Sequence, residues 1–149
     1  MEEVLRMEKQ QNIFRMTNEK LTREDIAMLS PLQLAYIGDA VYELLVRTYL
    51  LEKESNVNQL HKKATKYVKA DAQSEIIHHL EDILREDEKK IIKRGRNAKT
   101  NTSPKNSSMI NYKYATGFES LFGYLYLTGQ DGRILELFDN IKVFEKNKI

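Results

Sequence analysis

The sequence predicts an all-α protein, and three observations carry that reading. No proline and no glycine falls between Asp39 and Arg94. The same stretch is rich in Leu, Glu, Lys, Ala and Ile, which lose little freedom on entering a helix. Strand-type alternation is sustained nowhere along the chain. At 149 residues the chain suits one domain, long enough to bury a core without disulfides, and it has no cysteine.

The first strong start signal is LSPLQL. Ser30 is a candidate N-cap, Pro31 stands at the first helical position and Gln33 closes a capping box. A helix is expected from Pro31 to about Leu51, with Leu34, Ile37, Val41, Leu44, Leu45 and Thr48 on its buried side. Asn56 caps a second helix carrying Val57, Leu60, Ala64, Tyr67 and Val68, and a third holds Ala72, Ile76, Ile77 and Leu80. A short helix from about Asp87 to Arg94 is expected to stop at Gly95 in a left-handed cap. Residues 96–107 have loop chemistry, and Ser107 or Ser108 caps the next helix, which runs to about Thr128. Gly129 ends that helix, and Gly132 lies in the turn before a last one with Ile134, Leu135 and Phe138. Residues 1–20 read as an N-terminal extension, a weakly docked helix at most, ahead of a domain over 21–149.

Net charge is only +2, below what a dedicated nucleic-acid module carries. Its distribution says more. From Lys89 to Lys113 there are eight basic residues and no acid, which leaves the rest of the chain at −6. A basic segment of this kind can supply sequence-independent phosphate contacts, with loop Asn, Ser and Thr adding contacts to phosphate and sugar. As a charge run alone it reads, more often than not, as a solvated loop. No secretory leader and no run long enough to span a membrane is expected, and the lack of cysteine is consistent with a reducing cytoplasm.

Two acids stand out by their surroundings. Asp39 sits inside the apolar run LQLAYIGDAVYELLV, preceded by Gly38 and with Ala35, Tyr36, Tyr42 and Glu43 as helical neighbours. A carboxylate there is costly unless paired, hydrated or bound to metal. Glu119, in YKYATGFESLFGYLYL, shares its side of a helix with Ala115, Thr116 and Gly123, while Phe118, Leu121, Phe122 and Leu125 form the apolar stripe. Each alone reads more readily as a surface acid. Together, two carboxylates from distant helices could converge on one Mg2+ held with several waters. Glu75 and His78 form a single E-x-x-H pair, where a di-iron bundle needs two. No phosphate-binding glycine loop, nucleophile elbow or zinc pattern occurs. Lys62, Lys63, Lys66 and Lys69 either extend a basic surface or are simply exposed.

LAYIGDAVYELLVR resembles the signature helix of the ribonuclease III family, and ATGFESLFGYLYL is similar to that family's second motif. KRGRNAKTNTSPKN and LHKKATKYVKADAQ resemble the Mini-ribonuclease III branch, which lacks a double-stranded-RNA-binding domain. The resemblance covers roughly residues 21–128. It implies the helical bundle of the ribonuclease III endonuclease domain and a homodimeric endoribonuclease that cuts double-stranded RNA, leaving a short 3′ overhang and 5′-phosphates. It also implies Mg2+, or Mn2+ in its place, bound by Asp39 and Glu119, with precursor 23S ribosomal RNA as the cytoplasmic substrate. Arg94, Arg96, Asn97, Lys99, Lys105 and Asn106 are expected to form much of the RNA grip. The chain departs from the larger enzymes at Leu32, Ala35 and Thr116, where they carry acids, which implies a leaner metal site with more water. The alternative is a catalytically silent RNA-binding or ribosome-associated module of the same fold.

Overall fold

The computed structural model describes residues 12–99 and 108–148, and among these it contains seven α-helices and no strand. They are α1 (Arg23–Met28), α2 (Pro31–Leu50), α3 (Val57–Val68), α4 (Ala70–Leu80), α5 (Glu86–Arg96), α6 (Met109–Leu127) and α7 (Asp131–Lys146). The starts follow local chemistry. Thr22 with Asp25, Ser30 with Gln33, and Asn56 with Gln59 each form a reciprocal capping box, and the Ser108 hydroxyl accepts the Asn111 backbone N–H. The chain leaves α6 through Gly129, whose φ of 74° is the left-handed conformation expected there.

Helix α6 is the hub. It packs against α2, α5, α4 and α7, and its residues Phe118, Leu121, Phe122 and Leu125 are fully buried. From α2, Tyr42 inserts beside them, 4.7 Å edge-on to the Phe118 ring and 5.2 Å from Phe122. Its hydroxyl donates to the Tyr67 carbonyl at 3.0 Å, so this buried aromatic leaves no orphan polar atom. A buried ion pair ties α5 to α7. Arg133 donates from Nε and Nη2 to the two Glu88 oxygens at 2.9 and 2.8 Å, and Nη2 also reaches the Ile83 carbonyl at 2.6 Å. Glu88 in turn accepts the Arg85 backbone N–H at 2.8 Å, which seats the first turn of α5.

Three local expectations are corrected. Helix α2 buries Leu34, Ala35, Gly38, Tyr42 and Val46, while Leu44 is 57% exposed and Thr48 is also exposed. Gly38 and Ala35 share the buried face with Leu34, Tyr42 and Val46, because the close approach of α6 needs a glycine at that point. Helix α5 does not stop before Gly95 but runs through it to Arg96. A Cβ on Gly95 would lie 2.7 Å from the Gly117 Cα, so this glycine serves helix contact and not a left-handed cap. Gly132 lies within the first turn of α7, not in the turn before it. Of the N-terminal extension, residues 1–11 are outside the described residues. Residues 15–18 form one 3-10 turn, in which Arg15 grips Asp131 at 2.7 and 2.9 Å and the Tyr126 carbonyl at 3.2 Å.

Candidate active site

Helices α2 and α6 cross backbone to backbone. A Cβ on Gly38 would overlap the Glu119 carbonyl oxygen and sit 2.7 Å from the Gly123 nitrogen. A Cβ on Gly123 would overlap the Leu34 carbonyl oxygen in the same way. No larger residue fits at either place, and the close approach has a chemical consequence: it sets Asp39, next along α2, beside Glu119 on α6. Ser120 locks the crossing, its hydroxyl lying 2.9 Å from the Pro31 carbonyl and 2.8 Å from the Thr116 carbonyl.

Asp39 is exposed and Glu119 half-buried. Burial, a hydrogen bond shared with Asp39, and repulsion from Asp39 and Glu43 push the Glu119 carboxyl up to about 9. Two carboxyl groups this close resist carrying two charges unless a cation stands with them. The donor set therefore fits a divalent ion held by two carboxylates, with water and a substrate phosphate completing the shell. Among the described residues no set of three or more His, Cys, Asp or Glu groups has metal-binding geometry. At the positions where the larger enzymes carry acids, Leu32 is exposed, Ala35 is buried against the crossing, and the Thr116 hydroxyl donates to the Tyr112 carbonyl at 3.1 Å. Glu43, one turn beyond Asp39, adds its charge to the site and accepts from Arg47 at 3.2 Å. The spacing from Asp39 identifies it as a neighbour, but nothing in the sequence gives it a role.

The expected RNA-contacting residues gather in part at the C-terminal end of α5. Arg94 is exposed and reaches the Leu29 carbonyl at 3.3 Å. Arg96 is half-buried against Tyr114, Asn97 is the exposed C-cap of the helix, and Lys99 is exposed. Lys105 and Asn106 lie outside the described residues. The contacts of Gly95 with Gly117 and with Ser120, whose Oγ would lie 2.8 Å from an added Cβ, bring this basic end against the same stretch of α6 that carries Glu119. Glu75 and His78 do not form a ligand pair: Glu75 accepts from Lys148 at 2.8 Å, while His78 Nδ1 lies 2.7 Å from the Ser74 carbonyl. On α3, Lys62, Lys66 and Lys69 are exposed and Lys63 lies 3.6 Å from Glu52. No helix among the described residues is long and apolar enough to cross a membrane.

This geometry has counterparts among known proteins. A family model described as the Ribonuclease III domain matches residues 32–130, a span that contains both acids and the basic segment. A Mini-ribonuclease 3 from Clostridium tetani is 52% identical over 121 residues, 80% of each chain. Another from a Thermoanaerobacter species is 49% identical over 142 residues, 94% of this chain and 100% of that one. A crystal structure of a protein from Fusobacterium nucleatum superimposes with a TM-score of 0.70 at 34% identity, covering 74% of this chain and 90% of that one. The chain belongs to the ribonuclease III family of endoribonucleases, in its Mini-ribonuclease 3 branch.

Proposed function

We propose that the protein is a Mg2+-dependent endonuclease of double-stranded RNA that trims the paired ends of precursor 23S ribosomal RNA. The observation that carries the chemistry is the meeting of Asp39 and Glu119 at the α2–α6 crossing, where burial first, and then the hydrogen bond and charge of Asp39, raise the Glu119 carboxyl to about 9. Asp39 and Glu119 would hold the ion, each as a carboxylate. A divalent ion bound there would supply an activated water and offset charge on the phosphodiester. The narrow Gly38–Gly123 crossing holds the two carboxylates in register with little freedom to part, which is the positioning a hydrolytic site needs.

The choice of double-stranded RNA rests on the basic end of α5 beside the site. Exposed Arg94 and Lys99 suit phosphates flanking the wide minor groove of an A-form helix. The ribosomal precursor, and with it a cytoplasmic setting, comes from the family resemblance. We assign residues 21–149 to the catalytic domain and residues 1–20 to its extension. The active form is a homodimer, each subunit cutting one strand. Support for a second copy is the exposed apolar surface around Tyr36 and the groove beside it, about 850 Å³ in volume.

The test is cleavage of long double-stranded RNA with Mg2+ or chelator, alongside Asp39→Asn and Glu119→Gln. Both variants and the chelated enzyme should lose cleavage by several orders of magnitude while retaining RNA binding. Cleavage that survives in either variant rejects the site. Salt-sensitive binding with no cleavage by the wild-type protein establishes the silent RNA-binding module instead.

A further inference from the structure

The two arginines at the end of α5 face different neighbours. Arg94 is exposed, with the Leu29 carbonyl as its partner at 3.3 Å. Arg96 is half-buried. Its guanidinium lies over the Tyr114 ring, 5.5 Å from the centroid, and Nη1 donates to the Tyr114 hydroxyl at 3.5 Å. Tyr114 is itself braced from α4. The His78 ring lies 4.7 Å from it, tilted by 53°, and His78 is tied to the Ser74 carbonyl at 2.7 Å. Nearby on α6, Asn111 Nδ2 donates to Asp71 at 3.0 Å. The first turns of α6 are thus fastened to α4 where they receive Arg96.

We propose that Tyr114 is a positioning residue for RNA binding: its ring and hydroxyl hold the Arg96 guanidinium so that the remaining N–H groups are presented to a phosphate of the duplex. The inference rests on the reading of the basic segment as the RNA grip. A free arginine loses rotamer freedom when it binds, and that loss weakens binding. An arginine already held over an aromatic ring and bonded to its hydroxyl has lost part of it beforehand, and its planar fork still offers donors for a phosphate. A lysine in the same place would keep the charge but lacks the fork of donors that can reach the Tyr114 hydroxyl and a phosphate together.

A double-mutant cycle on the full chain tests this, with RNA affinity measured across salt concentrations and KM and kcat measured with Mg2+. Arg96→Ala should weaken binding and lower the salt slope by about one phosphate contact. Tyr114→Leu should weaken binding by about three- to tenfold, with the change falling on KM. Tyr114→Phe, which keeps the ring, should lose less. The double variant should bind no worse than Arg96→Ala alone, because the tyrosine acts through the arginine. Independent, additive losses overturn the proposal, as does a Tyr114→Leu defect confined to kcat with the salt slope unchanged. Arg96→Lys carries the test if Tyr114→Leu fails to fold: it should reproduce most of the Arg96→Ala loss, and wild-type affinity in Arg96→Lys overturns the proposal. An Arg96→Ala variant that binds RNA normally removes Arg96 from the RNA grip, and the proposal with it. Cleavage by the Asp39 and Glu119 pair is scored separately and is untouched by that result.

Discussion

A carboxyl raised to about 9 keeps its proton at neutral pH, so metal-free Glu119 is neutral where a metal ligand must be charged. Two consequences follow by linkage. Between the ordinary value of 4.5 and about 9, the folded chain binds a proton at Glu119 that the unfolded chain has released. Stability in chelator therefore falls as pH rises through that window. Glu119→Gln, which cannot titrate, should show a flatter melting-temperature profile across it. Mg2+ bound at Glu119 as proposed would expel the same proton, so affinity for the ion should rise by up to about tenfold per pH unit below 9. Calorimetric Mg2+ titration at several pH values reads this directly, and an affinity independent of pH would contradict the paired-carboxyl geometry. Gly38 presents the opposite balance of local and tertiary effects. Alanine there gains about 1 kcal/mol of helix propensity. Its Cβ would overlap backbone that cannot rotate away, a cost at or above the usual ~1–3 kcal/mol of overpacking. The steric cost wins, and Gly38→Ala should lower the melting temperature and depress cleavage together as Asp39 shifts from Glu119. Asp39 and Glu119 were visible in the sequence as acids among small residues, though each alone reads as a surface acid and the family resemblance is what pairs them. Their meeting was not visible there, because nothing local in either segment encodes the distance between them.

At the scale of elements, capping chemistry was legible and long-range pairing was not. The starts of α2, α3 and α6 follow from Ser30, Asn56 and Ser108, each acting within three residues of itself. Helix α1 carries the same signal, Thr22 with Asp25, although its six residues offer too little periodicity to mark a helix. The end of α5 was misjudged because a glycine that terminates a helix and one that admits a neighbour look alike until Gly117 is known to face it. The Glu88–Arg133 pair, 45 residues apart, has no local signature. Both partners are buried, so removing one strands the other. Arg133→Met should cost about 3–5 kcal/mol in denaturant unfolding, and adding Glu88→Gln should recover part of it. An Arg133→Met variant that unfolds at the wild-type denaturant midpoint would show that water already solvates the pair. Gly132 gives the converse case. A Cβ there meets nothing within 4 Å, so Gly132→Ala should raise stability by up to about 0.5–1 kcal/mol.

For the whole molecule the open question is what covers the α2 face that α6 does not. Tyr36 stands on that face 79% exposed, with Leu32 beside it and Met28 just ahead on α1. Next to them runs the groove lined by Leu21, Ile26, Leu29, Ile37 and Leu127. Aromatic side chains with apolar neighbours are enriched where proteins meet, and a stable pairing needs about 800 Å² from each partner. An exposed tyrosine at the edge of a partly apolar groove, which Arg15, Glu19 and Arg23 also line, suits a two-fold pairing in which each subunit's ring enters the other's groove. Asp39 lies on the same helix less than one turn further on, so pairing here would bring two carboxylate centres to one side of the assembly, as cutting both strands of a duplex requires. Tyr36→Asp should therefore convert a dimer to a monomer in sedimentation velocity at micromolar concentration, because it would bury an unpaired charge in the interface. Cleavage should fall in parallel, while the melting temperature of the subunit changes little, since the ring makes few contacts within its own chain. A wild-type protein that sediments as a monomer, or a Tyr36→Asp variant that remains dimeric, would assign the exposed face to another partner and leave each metal centre to act alone.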